Sequence, residues 1–216
     1  MNKFINEDCL EAMKEYPDNY FDLSIVDPPY GLDVYANGTM GAGVLAKQST
    51  YKKTEWDKSP PNQAYFNELI RVSKNQIIWG ANHFISKIPF DSSCWIVWNK
   101  KNGENNFADC ELAYASFKTA VRMFEYRWQG MLQENMKDKE RRIHPTQKPV
   151  ALYKWLLMNY AKQGDKIIDT HVGSASSFIA AYDMGFDILG FEIDKDYFDM
   201  ANKRIEEHKQ QIRFEL

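Results

Sequence analysis

Asp22-Leu23-Ser24-Ile25-Val26-Asp27-Pro28-Pro29-Tyr30 is the stretch on which the reading of this chain turns. Its opening residues form a short, mostly apolar run, and such a run bounded by turn residues reads as a buried strand. The strand must stop at Pro28-Pro29, because prolines have no N–H to give to a sheet ladder. An aspartate and a tyrosine are thereby fixed at a strand end on a stiff backbone. Outward from there, Gln76–Trp79, Cys94–Trp98, Cys110–Phe117, Lys166–Asp169 and Phe186–Phe191 also read as strands. Helical spacing of apolar residues covers about Asn62–Val72, Val150–Ala161, Ser176–Met184 and Asp196–Gln211, the second directly after Pro149. Strand and helix signals alternate from end to end, which predicts an α/β sandwich around a largely parallel sheet. Two stretches break the rhythm, Gly31–Pro61 and Asn102–Ile143, and both are expected on one rim of the sheet.

The Asp27-Pro28-Pro29-Tyr30 loop suits one kind of chemistry. In an aromatic amine the nitrogen lone pair is delocalised into the ring, so attack on an electrophile needs help toward tetrahedral geometry. A carboxylate and a backbone carbonyl aimed at the two N–H bonds give that help, and Asp27 and the Pro28 carbonyl supply the pair. Tyr30 offers an aromatic face for an extruded base, a stack worth ~1–3 kcal/mol.

A second constellation, Lys166-Ile167-Ile168-Asp169-Thr170-His171-Val172-Gly173-Ser174-Ala175-Ser176, sets a strand, a small-residue turn and a helix start in series. Gly173 and its small neighbours let a ligand approach the backbone. Glu192, nineteen residues after Gly173, stands where ribose hydroxyls are held in nucleoside-binding folds. No GxGxxG is present, and a carboxylate at Asp169 fits a sulfonium or ammonium better than a pyrophosphate. S-adenosylmethionine is therefore favoured over a nicotinamide dinucleotide. A third block, His144-Pro145-Thr146-Gln147-Lys148-Pro149, opens a helix, and Lys148 is expected to meet the carboxylate of that ligand's methionine tail.

Bulk properties bound the rest. The 216 residues suit one domain, with 44% hydrophobic and 26% charged residues. No apolar run approaches the ~18 residues of a membrane span, and the N-terminus turns acidic early, so the cytosol is the expected compartment. Cys9, Cys94 and Cys110 lack the spacing of a disulfide framework or zinc site, and no metal is expected. The net charge of −3 does not announce a nucleic-acid binder, but Lys118–Lys148 holds eight basic residues against four acidic ones.

These blocks, in this order, make the chain resemble the amino-methyltransferases of DNA, specifically their permuted β group. The likeness runs from Asn6–Leu10 through Asp22–Tyr30, Trp79–Phe84, His144–Pro149 and Asp169–Ser176 to Gly190–Asp194. It implies a Rossmann-like, mixed seven-stranded sheet with helices on both faces, the last strand antiparallel. The whole chain, 1–216, is then one methyltransferase domain with a catalytic-loop insertion at about 31–61 and a short target-recognition region at about 102–143. Asp27, Pro28, Pro29 and Tyr30 are the catalytic loop. Asp27, Asp169, His171, Gly173 and Ser174 line the cofactor, Glu192 holds the ribose, Asp8 lies near the adenine ring, and Thr146 and Lys148 lie near the methionine end. Where the family turn runs Asp-x-Phe-x-Gly-Ser-Gly, His171 and Ala175 replace the aromatic and the last glycine.

The expected reaction is direct methyl transfer to a base flipped out of double-stranded DNA, without a covalent enzyme intermediate. Asp rather than Ser before Pro-Pro favours N6 of adenine over N4 of cytosine; RNA is an alternative substrate. A non-catalytic nucleic-acid binder and a nicotinamide oxidoreductase are the readings from other classes. The intact loop and turn count against the first, the missing glycine fingerprint against the second. Lys118, Arg122, Arg127, Arg141 and Arg142 are the candidate DNA contacts, with a homodimer or a short target site expected for so small a domain.

Overall fold

A computed structural model describes residues 2–32, 39–40, 49–50, 58–103, 108–129 and 132–214. Its centre is an eight-stranded sheet. Along the chain the strands are β1 (Lys3–Ile5), β2 (Phe21–Val26), β3 (Ser73–Trp79), β4 (Cys94–Asn99), β5 (Cys110–Ala115), β6 (Arg122–Glu125), β7 (Lys166–Asp169) and β8 (Asp187–Phe191). Across the sheet they run β1-β8-β7-β2-β3-β5-β4-β6. The strands from β1 to β3 are parallel, β5 is antiparallel to both β3 and β4, and β6 lies parallel to β4 on the outer edge.

The sheet thus has one strand more than the expected seven. Arg122–Glu125 is short and mostly exposed, so it carries no apolar run that would mark it in the sequence. The one antiparallel strand among the eight is β5, inside the sheet and not last along the chain. The six expected strands are all present, Lys166–Asp169 with its expected bounds and the others with ends moved by up to three residues.

Helices cover both faces because each inner strand is apolar on both sides. Leu23 and Ile25 of β2 join Leu152 and Leu156 of α3 (Val150–Tyr160), Phe178 of α4 (Ser176–Met184) and Ala201 of α5 (Lys195–Phe214) in one core. Val26 and Ile78 point the other way, onto Phe66 and Leu69 of α2 (Gln63–Val72) and Met13 of α1 (Cys9–Met13). Each such buried aliphatic or phenyl group is worth about 1.5–3 kcal/mol. Asn62 caps α2, its side-chain oxygen accepting from the Tyr65 N–H at 3.1 Å, which fixes where that helix starts.

The winding decides where a ligand sits. From β2 the chain crosses one face through α2 to β3; from β7 it crosses the other through α4 to β8. The neighbours β7 and β2 therefore send their connections in opposite directions and leave a crevice at their carboxyl ends. Asp169 ends β7, and Asp27 follows β2. Of the Gly31–Pro61 stretch, residues 33–38, 41–48 and 51–57 lie outside the described residues; Thr39–Met40 pairs antiparallel with Ser49–Thr50.

Candidate active site

At the end of β2, Asp27 is gripped on both oxygens. Oδ1 accepts from the Tyr30 hydroxyl at 2.8 Å, and Oδ2 meets Lys148 Nζ at 2.5 Å. Lys148 is almost fully buried, 3.0 Å from Glu111 Oε2 and 3.1 Å from the Tyr30 oxygen. Glu111 Oε1 takes a second ammonium, Lys100 Nζ, at 2.5 Å. Burial pushes Asp27 above the usual carboxylate range, Lys148 opposes that, and Glu111 adds to it. Burial works the same way on Glu111, but Lys148 and Lys100 outweigh it and bring its carboxyl down to about 2. Burial works against charge on Lys148, yet Asp27 and Glu111 carry its pKa above the ordinary value, so the ammonium stays charged.

Tyr30 is placed by the turn after β3. Gly80 has a φ of +67°, and a Cβ there would come within 2.1 Å of the Tyr30 ring, so no other residue fits without displacing the tyrosine. His83 stacks on Tyr30 with ring centroids 5.0 Å apart and 16° between planes. These contacts give the Trp79–Phe84 stretch a role: it is the seat of Tyr30.

The second corner lies at the ends of β7 and β8. Asp169 is 1% exposed; its Oδ2 accepts from Ser177 Oγ at 2.5 Å and its Oδ1 from the His171 N–H at 3.0 Å. Burial, with Asp27 and Glu192 adding to it, raises its carboxyl to about 7. Glu192 Oε2 accepts from the Gly173 N–H at 3.0 Å and Oε1 from the Asp194 N–H at 2.9 Å; burial raises this carboxyl too. Among the described residues no lysine or arginine pairs with Asp169 or Glu192.

The turn is held from behind. The Ser174 carbonyl accepts from Arg204 Nη1 at 2.7 Å, Arg204 Nη2 meets Glu140 Oε2 at 2.7 Å, and Ser176 Oγ donates to the Lys148 carbonyl at 2.7 Å. His144 packs edge-on against Tyr197, 4.3 Å between centroids; burial drops its pKa to about 3, so its Nδ1 accepts from Thr146. His171 is held by Thr170 Oγ1, 2.9 Å from its Nδ1, and burial brings it down to about 4. Asp8 caps α1, accepting from the Leu10 N–H at 2.8 Å.

The structure thus gathers Asp27, Tyr30, Lys148, Asp169, Gly173, Ser174 and Glu192 around one crevice. The role expected of Lys148 changes: its three N–H donors face Asp27, Glu111 and Tyr30, which leaves none for a ligand carboxylate. The basic candidates do not form one surface. Lys118 lines a groove of about 530 Å³ with Asn19, Ser73 and Lys74, where β3 begins, at the opposite end of the sheet from Asp27. Arg122 starts β6 opposite Ile96, and Arg142 lies over the Trp128 ring at 4.6 Å. Arg127 and Arg141 are exposed. The stretches 31–61 and 102–143 therefore do not share one rim throughout. Glu111 and Lys100 escape a reading by motif, although a lone carboxylate in the otherwise apolar run Cys110–Phe117 is a visible signal.

A doubly wound sheet with two carboxylate corners at its switch point defines a Rossmann-like fold. Comparison with known proteins makes this specific. Residues 97–203 match the N6_N4_Mtase family model, described as DNA methylase; the match includes Glu111, Lys148, Asp169 and Glu192 and leaves Asp27–Tyr30 outside. The Type II methyltransferase M.HinfI of Haemophilus influenzae is 26% identical over 97% of this chain and 69% of its own length. Among solved structures, the M1.HpyAVI–SAM complex aligns with a TM-score of 0.58 at 20% identity, covering 94% of this chain and all of that one. The cytosine-N4-specific PvuII DNA methyltransferase aligns with a TM-score of 0.61 at 12% identity, covering 98% and 93%. The family match, the relatives and the shared fold together support the DNA amino-methyltransferase family for this chain.

Proposed function

We propose that this protein methylates an exocyclic amino nitrogen in double-stranded DNA with S-adenosylmethionine as donor, and that the nitrogen is N6 of adenine. The observation that carries this reading is the pairing of corners at the switch point. Asp27 is held on a Pro-Pro backbone beside Asp169 and Glu192, which face each other without a cationic partner among the described residues. That donor set fits S-adenosylmethionine, which bears a sulfonium and an ammonium, and a protein of the same fold is known in complex with it. When bound, the cofactor supplies an electrophilic methyl group on a positively charged sulfur. Glu192 takes the ribose hydroxyls, Asp169 compensates positive charge, and Gly173 and Ser174 keep the turn open to close approach.

The rest of the reaction belongs to this chain's own groups. Asp27 accepts one N–H of the target amine and the Pro28 carbonyl accepts the other, which turns the lone pair out of the ring plane. As the N–C bond forms, the bond from that methyl carbon to sulfur breaks with its electron pair left on a neutral thioether, and one N–H proton leaves to the Asp27 carboxylate. Tyr30, backed by His83 and Gly80, forms part of the wall against which the flipped base lies. Holding the nitrogen in near-attack position supplies much of the rate. Asp before Pro-Pro supports adenine as the base.

The test is to incubate the protein with unmethylated DNA and S-adenosylmethionine, digest to nucleosides and identify modified bases by mass spectrometry. N6-methyladenine is the expected product. N4-methylcytosine would overturn the choice of base and leave the chemistry. A modified base found only with RNA would overturn the substrate, and none at all would overturn the activity.

A further inference from the structure

Glu111 stands second in β5, the one strand of the sheet that runs against its neighbours. Its start therefore lies where β3 and β4 end. Glu111 pairs opposite Trp98, and the Gly80 N–H donates to the Leu112 carbonyl at 2.9 Å. The reversal brings a carboxylate to the reaction corner from a strand with no motif of its own. There it meets Lys148 through Oε2 and Lys100 through Oε1.

Among the described residues the four charges of the corner, Asp27, Glu111, Lys148 and Lys100, balance two against two. An ammonium bound to Asp27 alone would close that carboxylate in an ion pair and weaken it as an acceptor. We propose that Glu111 is a positioning residue: anchored by Lys100, it shares the Lys148 ammonium with Asp27 and so keeps the Asp27 carboxylate basic enough to accept the N–H of the target amine. This rests on the methyl-transfer reading above. The groups facing Asp27 are Lys148 before α3, Glu111 on β5, Tyr30 on its own loop, Asp169 on β7, Tyr65 on α2 and Tyr153 on α3. Only Glu111 and Lys100 are changed in the test, so the other groups are common to every protein compared.

Single-turnover methyl transfer to DNA is measured against pH for the wild type, Glu111→Gln and Lys100→Met, with S-adenosylmethionine affinity measured by calorimetry. Glu111→Gln removes a negative neighbour and leaves Lys148 wholly to Asp27. Its acid limb moves to lower pH and its plateau rate falls about tenfold. Lys100→Met removes a positive charge, and its acid limb moves to higher pH. Cofactor affinity stays within about threefold in both. Rates lowered evenly at every pH, with the limbs unmoved, would reduce Glu111 to a structural part and overturn the proposal. If Glu111→Gln does not fold, the upward shift in Lys100→Met carries the test, and an unmoved limb there overturns it. A wild type that transfers no methyl group overturns the reading of function and this inference with it; an active wild type with unmoved variants overturns this inference alone.

Discussion

Two corners of one crevice, a strand apart, treat buried charge in opposite ways. Around Asp27 the carboxylates are matched inside the protein: Lys148 sits between Asp27 and Glu111, and Lys100 closes the set. Around Asp169 they are not. Asp169 and Glu192 are held by a hydroxyl and by backbone N–H groups, and burial lifts both. Hydrogen bonds from neutral donors keep these carboxylates in position without removing the cost of their charge. On the proposed function, the balanced corner holds a neutral amine and the unbalanced one is completed by a cation from outside.

The largest expected effect breaks the balanced corner. Asp27→Ala removes the acceptor and should cut methyl transfer by ~10²–10⁴-fold while cofactor binding remains measurable. Undiminished transfer would remove Asp27 from the mechanism. Next comes the other corner. Asp169→Asn should weaken S-adenosylmethionine binding by about 2–4 kcal/mol, read by calorimetry.

The same substitution sharpens the contrast through stability. A folded carboxyl near pH 7 lies above its unfolded value, so the folded state holds its proton longer. Its ionisation then costs stability increasingly as pH rises from ~4 and fully above 7. Cofactor-free Asp169→Asn should therefore be about 1–3 kcal/mol more stable than the wild type at ~pH 8, with the gain absent near ~pH 4, in denaturant unfolding. A pH-independent difference would mean that Asp169 is not the uncompensated charge.

Smaller effects separate seat from turn. Gly80→Ala forces a left-handed alanine whose Cβ meets the Tyr30 ring, and should cost about 2–3 kcal/mol in thermal unfolding and lower transfer further than cofactor binding. Ala175 already sits left-handed, with φ +64°, at the cap of α4, where the family carries glycine. Ala175→Gly relieves about 1 kcal/mol of backbone strain and loses a buried methyl worth about 0.8 kcal/mol. The melting temperature should hardly move.

Most of the sheet is legible in the sequence because its inner strands are short apolar runs closed by turn residues. Lys166–Asp169 and Ser176–Met184 match their expected bounds, and Asn62 caps the helix expected there. Strands without an apolar run escape: Arg122–Glu125 is mostly exposed, and Lys3–Ile5 has three residues. The Asp27–Tyr30 loop and the Asp169–Ser176 turn are legible as local units because each is continuous in the chain. The clamp is not, since Lys100, Glu111 and Lys148 meet only through an antiparallel strand that spacing does not reveal. Lys148 is visible by motif, but its contact with Asp27 is not, because nothing local points it there. The basic residues are misleading for a related reason: a run of positive charge between 118 and 148 is divided by the fold between opposite ends of the sheet.

The central claim, that the Asp169 corner is left negative for a cationic cofactor, is tested most directly by titrating S-adenosylmethionine into the protein at neutral pH in buffers of low and high ionisation enthalpy. A bound cation lowers the Asp169 pKa, so binding should release a fraction of a proton up to about one, and Asp169→Asn should abolish that release. Tight binding with no proton exchanged, or the same exchange in the variant, would contradict the account.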